Sequence, residues 1–145
     1  MVKKFSGEYR WEGVDLLPYK ETGTHFKSIS RQILSHGVGD MPIELRYFEM
    51  APGGHSTLEK HQHGHLVLIL RGKGRVLVGD TITEIGEHDT VEIGPMIWHQ
   101  FQANENEPLG FLCCVCQERD KPHLPNESDL IELRSHSLVK EYIKV

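Results

Sequence analysis

The chain has 145 residues, 38% apolar and 26% charged, with 16 Lys and Arg against 21 Asp and Glu for a formal net charge of −5. That length supports one domain with its own core, and an acidic chain without a basic block is a poor match to nucleic acid. The longest apolar run, Leu66-Val67-Leu68-Ile69-Leu70, is too short to cross a bilayer, and Met1 to Glu8 has no apolar leader segment, so a cytoplasmic location is expected.

Residues 1–24 mix charges, aromatics and glycine without a period, so an irregular arm packed by Trp11 and Tyr19 is expected. From His25 the text alternates: Ser28, Ser30 and Gln32 against Lys27, Ile29, Arg31 and Ile33, a first strand ending near Leu34. Gly37 and Gly39-Asp40 turn the chain. Ile43 to Met50 alternates again, with Pro52-Gly53-Gly54 expected to end it.

The most concentrated chemistry follows. Four of the ten histidines fall between His55 and His65, and Glu59, His61, His63 and His65 occupy every second position. In an extended segment Glu59, His61 and His63 would share one face. The next strand, His65 to Leu70, is apolar on both faces and should be covered on both. Gly72 to Gly74 reads as a hairpin turn into Arg75 to Val78, and Gly79-Asp80 as another. Thr81–Ile85, Thr90–Ile93, Ile97–Ala103 and Leu109–Cys116 are further short strands. His99 and Phe101 share a face of theirs.

Cys113, Cys114 and Cys116 all fall in the last strand. An odd number in one strand is no disulfide framework, and the spacing is not that of a zinc knuckle, so they read as small buried hydrophobes in a reducing compartment. Beyond Arg119 the chain is polar, and Ser128 is placed to cap a helix beginning at Asp129 that lies on the outside of the β core or on a partner subunit. Nine or ten short strands bounded by Gly, Pro, Asn or Asp predict an all-β sandwich or barrel.

From Phe26 to Gln117 the text resembles the cupin superfamily of jelly-roll barrels. One motif is Pro52-Gly53-Gly54 through Glu59-Lys60-His61-Gln62-His63-Gly64-His65, closing at Gly72. The second runs from Gly86 through Pro95 to Trp98-His99-Gln100-Phe101. The resemblance implies one domain over 1–145: a double-stranded β-helix core at 26–117, an N-terminal arm at 1–25 and an extension at 118–145 with a short helix. Small single-domain cupins carry H-x-H-x-x-x-H. Aligned without gaps, that pattern falls on Glu59, His61 and His65, with His99 as the fourth ligand. A competing register pairs His61 with His63. Phe101 and His63 are expected to line a substrate pocket.

Imidazole and carboxylate ligands on rigid strands suit one divalent transition metal with open positions. The resemblance favours Fe or Mn, with Ni, Zn, Co and Cu also used. Two function classes follow. One is a metal-dependent oxygenase acting on a small organic molecule, with a Lewis-acid isomerase or lyase as its variant. The other is a non-catalytic small-molecule or metal-binding sensor. The expected partners are a small-molecule ligand and a second copy in a homodimer, with neither nucleic acid nor membrane.

Overall fold

The computed structural model describes residues 1–145. The N-terminal arm carries three short pieces, β1 (Phe5–Gly7), β2 (Arg10–Trp11) and β3 (Leu17–Pro18). The body consists of β4 (Lys27–Ser35), β5 (Ile43–His55), β6 (His65–Val78), β7 (Thr81–Gly86), β8 (Thr90–Ile93), β9 (His99–Ala103) and β10 (Leu109–Cys116). Helices α1 (Glu127–Ser135) and α2 (Ser137–Tyr142) follow. No helix is long and apolar enough to cross a membrane.

Antiparallel pairing closes the sheet on itself. Strand β10 pairs with β5 on one side and β6 on the other, and β9 joins β6 and meets β5 at His55–Gln102. Closure removes the free edges of those strands. The all-β jelly-roll barrel expected from the sequence is the fold observed. Alternation decides what lies inside: Arg46, Phe48 and Met50 of β5, Val67 and Ile69 of β6, Phe101 of β9, and Phe111, Cys113 and Val115 of β10 are all buried. Each such apolar side chain contributes roughly 1.5–3 kcal/mol by leaving water.

Two strands run further than the sequence indicates. Strand β5 continues through Pro52-Gly53-Gly54 to His55. Its register against β4 jumps from Met50–Ile29 to His55–Lys27, so the glycines form a bulge rather than an end. Strand β6 is one continuous strand through Gly72 and Gly74, not a hairpin. A Cβ on Gly72 would strike the Pro108 carbonyl oxygen, and one on Gly74 the Gln102 carbonyl oxygen. These glycines therefore serve close backbone approach as β6 passes β9 and β10, a role that spacing alone does not distinguish from a turn. The Gly79-Asp80 turn is as expected, joining β6 to β7.

The outer face of β6 also departs from expectation. Leu66 is 53% exposed, and Leu68 and Leu70 are only half-buried, so in the single chain that face is not covered. The N-terminal arm is not wholly irregular, because β3 adds to the sheet beside β4. Trp11 packs on Tyr47 and Tyr19 on Phe48, with ring centroids 5.2 and 5.8 Å apart.

At the C-terminus the cap is Asn126 rather than Ser128. Its side chain accepts the Asp129 N–H while the Asp129 carboxylate accepts the Asn126 N–H, both at 2.9 Å. The helix then breaks at His136 into two. Leu133, Val139, Tyr142 and Ile143 pack with Leu58 and Leu77 outside the barrel as a second small core. The Tyr142 hydroxyl bonds the Arg75 and Gln100 carbonyls at 2.9 and 2.8 Å, which fastens α2 across β6 and β9.

Candidate metal centre

Three imidazoles from two distant segments converge at one end of the barrel interior. His65 and His99 are the first residues of β6 and β9. His61 precedes β6 in a loop held by the Glu59–His99 backbone bridge and by the Met96 N–H, which donates to the His61 carbonyl at 2.7 Å. One ring nitrogen from each of His61, His65 and His99 lies within 4.8 Å of the others. The ring of His99 stands 4.8 Å from that of His61 and 5.3 Å from that of His65, centroid to centroid.

The hydrogen bonds behind these rings show what the front nitrogens can do. The Nδ1 atoms of His61 and His99 donate to the carbonyls of His63 and Ile97 at 2.7 and 2.9 Å. Their protons are thereby placed on Nδ1, and Nε2 presents a lone pair to the centre. His65 Nδ1 lies 3.0 Å from Cys113 Sγ, and its Nε2 is 2.9 Å from His61 Nε2. At that separation the two nitrogens share either a proton, with His65 protonated on Nε2, or a cation, with His65 protonated on Nδ1 toward Cys113. The residues thus fit a divalent ion held by three imidazole nitrogens, with further positions open.

The other expected site residues are distributed differently. Glu59 is buried beside the rings, and its carboxylate receives Lys20 Nζ at 2.6 Å. It is not among the groups whose ligand atoms converge. Residues 59–64 form no regular strand, so the face-sharing argument for Glu59, His61 and His63 does not describe them. His63 instead stacks flat on His61, centroids 3.6 Å apart, and its Nδ1 meets Asp120 Oδ1 at 2.8 Å. Asp120 also accepts the Gln62 and His63 backbone N–H groups, which hold its carboxyl well below the usual range. Phe101 lies where alternation predicts, on the wall of a small cavity shared with His65 and His99.

Burial pushes His61 down to about 4 and His65 to about 2, and the neighbouring rings act in the same sense. Burial also lowers His99, opposed by its bond to Ile97. These rings are therefore neutral, as ligands must be, at neutral pH. The same shifts set a pH dependence for the metal-free protein. An unfolded chain protonates its histidines near pH 6.5 while the folded one does not. Between that pH and about 4 the unfolded state binds more protons, so stability falls on acidification, by on the order of a few kcal/mol. Urea midpoints at pH 7 and pH 5 would read this, and a flat profile would show that the rings are solvated.

Two features were missed in the sequence. Only Cys113 is a buried cysteine; Cys114 is half-buried and Cys116 exposed, which corrects the uniform reading of the three. Register places Cys113 opposite Arg46 on one side and Val67 on the other, facing inward. Arg46 Nη2 approaches its sulfur at 3.6 Å. Burial pushes the Cys113 thiol up, while Arg46 pulls it down. Alternation in β10 put Cys113 on the face of Phe111, but only pairing with β6 brings that face to His65.

The cavity and the cleft beside these rings differ in character. Phe48, Phe101, Phe111 and Cys113 surround an inner space of about 30 Å³. Outside it, His61, His63 and His65 border a cleft of about 150 Å³ whose other walls carry Lys20, Arg31 and Arg46.

The family model for the cupin domain matches residues 46–115. Over 142 residues the chain is 51% identical to the 1-methylthio-D-xylulose 5-phosphate methylsulfurylase of Rhodospirillum rubrum, covering 97% of this chain and 90% of that protein. This chain belongs to the cupin superfamily. Solved cupins superpose closely on it. A cupin 2 conserved barrel domain protein from Rhodopseudomonas palustris gives a TM-score of 0.94 at 44% identity over the whole of both chains. A cupin-2 domain from Rhodospirillum rubrum gives 0.88 at 51% identity, covering 97% of this cupin and 95% of that chain. A cupin 2 domain-containing protein from Halorhodospira halophila gives 0.76 at 38% identity, covering 96% and 92%.

Proposed function

We propose that this cupin is a metal-dependent enzyme that removes the methylthio group from a 1-methylthio ketose 5-phosphate, the compound class in the name of its Rhodospirillum relative. The observation that carries the reading is Cys113: a thiol 3.0 Å from a ring of the histidine cluster and 3.6 Å from a guanidinium, at the wall of an apolar cavity. Burial holds Cys113 as the thiol, and donation from Arg46 and His65 to its sulfur opposes that and stabilises the thiolate as it forms.

The substrate's chemistry calls for such a group. Its methylthio sulfur sits on C1, next to a ketone at C2. The Cys113 thiolate attacks that sulfur; the S–S bond forms as the C1–S bond breaks. The electron pair of the broken bond stays with the sugar as an enolate, and a proton added at C1 gives the 1-deoxy ketose. The sugar is reduced by two electrons and Cys113 is oxidised to a methyl disulfide. A small-molecule thiol then attacks the methylthio sulfur, leaves as its own methyl disulfide and returns Cys113 as thiolate. A divalent ion at the three rings, with Fe or Mn favoured, would supply Lewis acidity toward the ketone oxygen. The cavity between Phe48, Phe101 and Phe111 suits a methylthio group, and the outer cleft suits the polar sugar.

The test is anaerobic turnover. Metal-loaded protein, 1-methylthio-D-xylulose 5-phosphate and a thiol should yield a deoxy ketose phosphate and a methyl disulfide in equal amounts. A requirement for O2 would restore the oxygenase reading made from the sequence. Full metal occupancy without turnover under either condition would favour the binding module. The homodimer is proposed on the uncovered outer row of β6, and a monomeric mass by sedimentation would remove it.

A further inference from the structure

The outer cleft holds more positive charge than the barrel neutralises. Lys20 is matched by Glu59 at 2.6 Å. Glu44 serves both Arg119 at 3.3 Å and Arg46 at 3.7 Å, so one carboxylate is divided between two guanidiniums. Asp120, on the far wall, is committed to His63 and to two backbone N–H groups. Arg31 makes no ion pair. Its Nε is fully buried and lacks any hydrogen-bond partner, as does the Nε of Arg46. A guanidinium has no neutral form to retreat to, and a buried unmet N–H on a charged group is costly.

Strand register puts these two arginines together. Arg31 of β4 stands opposite Phe48, and Ile33 opposite Arg46, so Arg31 and Arg46 are diagonal neighbours on the inward face. Diagonal positions lie roughly 7–8 Å apart, within reach of one ligand for side chains this long. Both border the cleft that also touches His61 and His65. One guanidinium with no carboxylate partner and a second that shares Glu44 with Arg119, both lining the cleft, mark a place for an anion from outside.

We propose that Arg31, with Arg46 beside it, forms a phosphate subsite that takes the phosphate monoester of the substrate and sets its orientation in the cleft. The identity of the ligand rests on the function proposed above; the anion site itself rests on the arginines. Arg31 makes no hydrogen bond or ion pair to Cys113 or to the histidine cluster. It is a binding residue, and its loss should appear in substrate affinity rather than in metal content or chemistry.

Three measurements test this on metal-loaded protein. In the first, inorganic phosphate and D-xylulose 5-phosphate should each raise the unfolding temperature of the wild type and have a much smaller effect on Arg31→Gln. In the second, KM for 1-methylthio-D-xylulose 5-phosphate should rise by about tenfold or more in Arg31→Gln, with kcat nearly kept and partial recovery in Arg31→Lys. In the third, the unphosphorylated analogue 1-methylthio-D-xylulose should be handled alike by wild type and variant. Equal phosphate stabilisation of wild type and Arg31→Gln, or an unchanged KM, overturns the subsite even where turnover is present. Arg31-dependent binding of xylulose 5-phosphate without turnover of the methylthio compound leaves the subsite standing and removes the proposed reaction instead.

Discussion

His99→Ala should strip the protein of its metal, lowering affinity by about 100-fold or more, because even groups that merely orient a ligand are worth 10–100-fold. His99 is the single member of the cluster from β9, and its loss leaves His61 and His65 as a two-nitrogen site on one stretch of chain. The backbone bridge from residue 99 to Glu59 uses only main-chain atoms, at 3.0 and 3.2 Å, so alanine keeps the loop in place. Elemental analysis of untagged protein after gel filtration gives occupancy per chain, and occupancy equal to the wild type would remove this centre. Glu59→Ala provides the contrast. If Glu59 is a fourth ligand, occupancy falls with it. If its carboxylate serves Lys20 alone, three imidazoles keep the ion.

Cys113→Ser should reduce methylthio transfer by about 10³-fold or more while leaving metal content unchanged, because it removes the attacking sulfur and keeps the size and the hydrogen bond to His65. A serine hydroxyl at this position has no comparable nucleophilicity toward sulfur. The wild type, mixed with substrate and no added thiol, should gain the mass of one methylthio group in exchange for a proton; the variant should not. Cys116→Ser is the control, since Cys116 is exposed and points away from the barrel interior. Retained turnover in Cys113→Ser would show that the acceptor thiol comes directly from solution.

How much of this was legible follows from the range of each interaction. Turn residues and alternation act over a few positions, so β8, β10 and the Gly79-Asp80 hairpin could be read correctly from local text. Gly72 and Gly74 could not. Their role depends on the carbonyls of Pro108 and Gln102, about thirty residues away, which a side chain would strike. The cap at Asn126 was missed for a smaller reason: Ser128 and Asn126 are both capable, and the reciprocal bond with Asp129 selects Asn126.

The site divides in the same way. His61, His65 and His99 stand out because imidazoles at that density are uncommon without a shared purpose and because their spacing matches a family motif. His63 borders the cleft as a pocket residue, but its bond to Asp120 could not be read from local order. Cys113, Arg46 and Arg31 carry no spacing signal at all. They come together because β10 pairs with β5 and β5 with β4, in a register that puts an arginine opposite a cysteine and a second arginine one diagonal away.

The amino-acid order of this protein by itself determined a barrel of short strands, because side-chain alternation is a property of neighbours along the chain, and its resemblance to a family motif picked out the three rings that face one another. Only the closed sheet decided which cysteine touches those rings and which cations are left without a carboxylate, because charge balance and contact are settled among residues that share a wall, and wall-sharing is fixed by strand register.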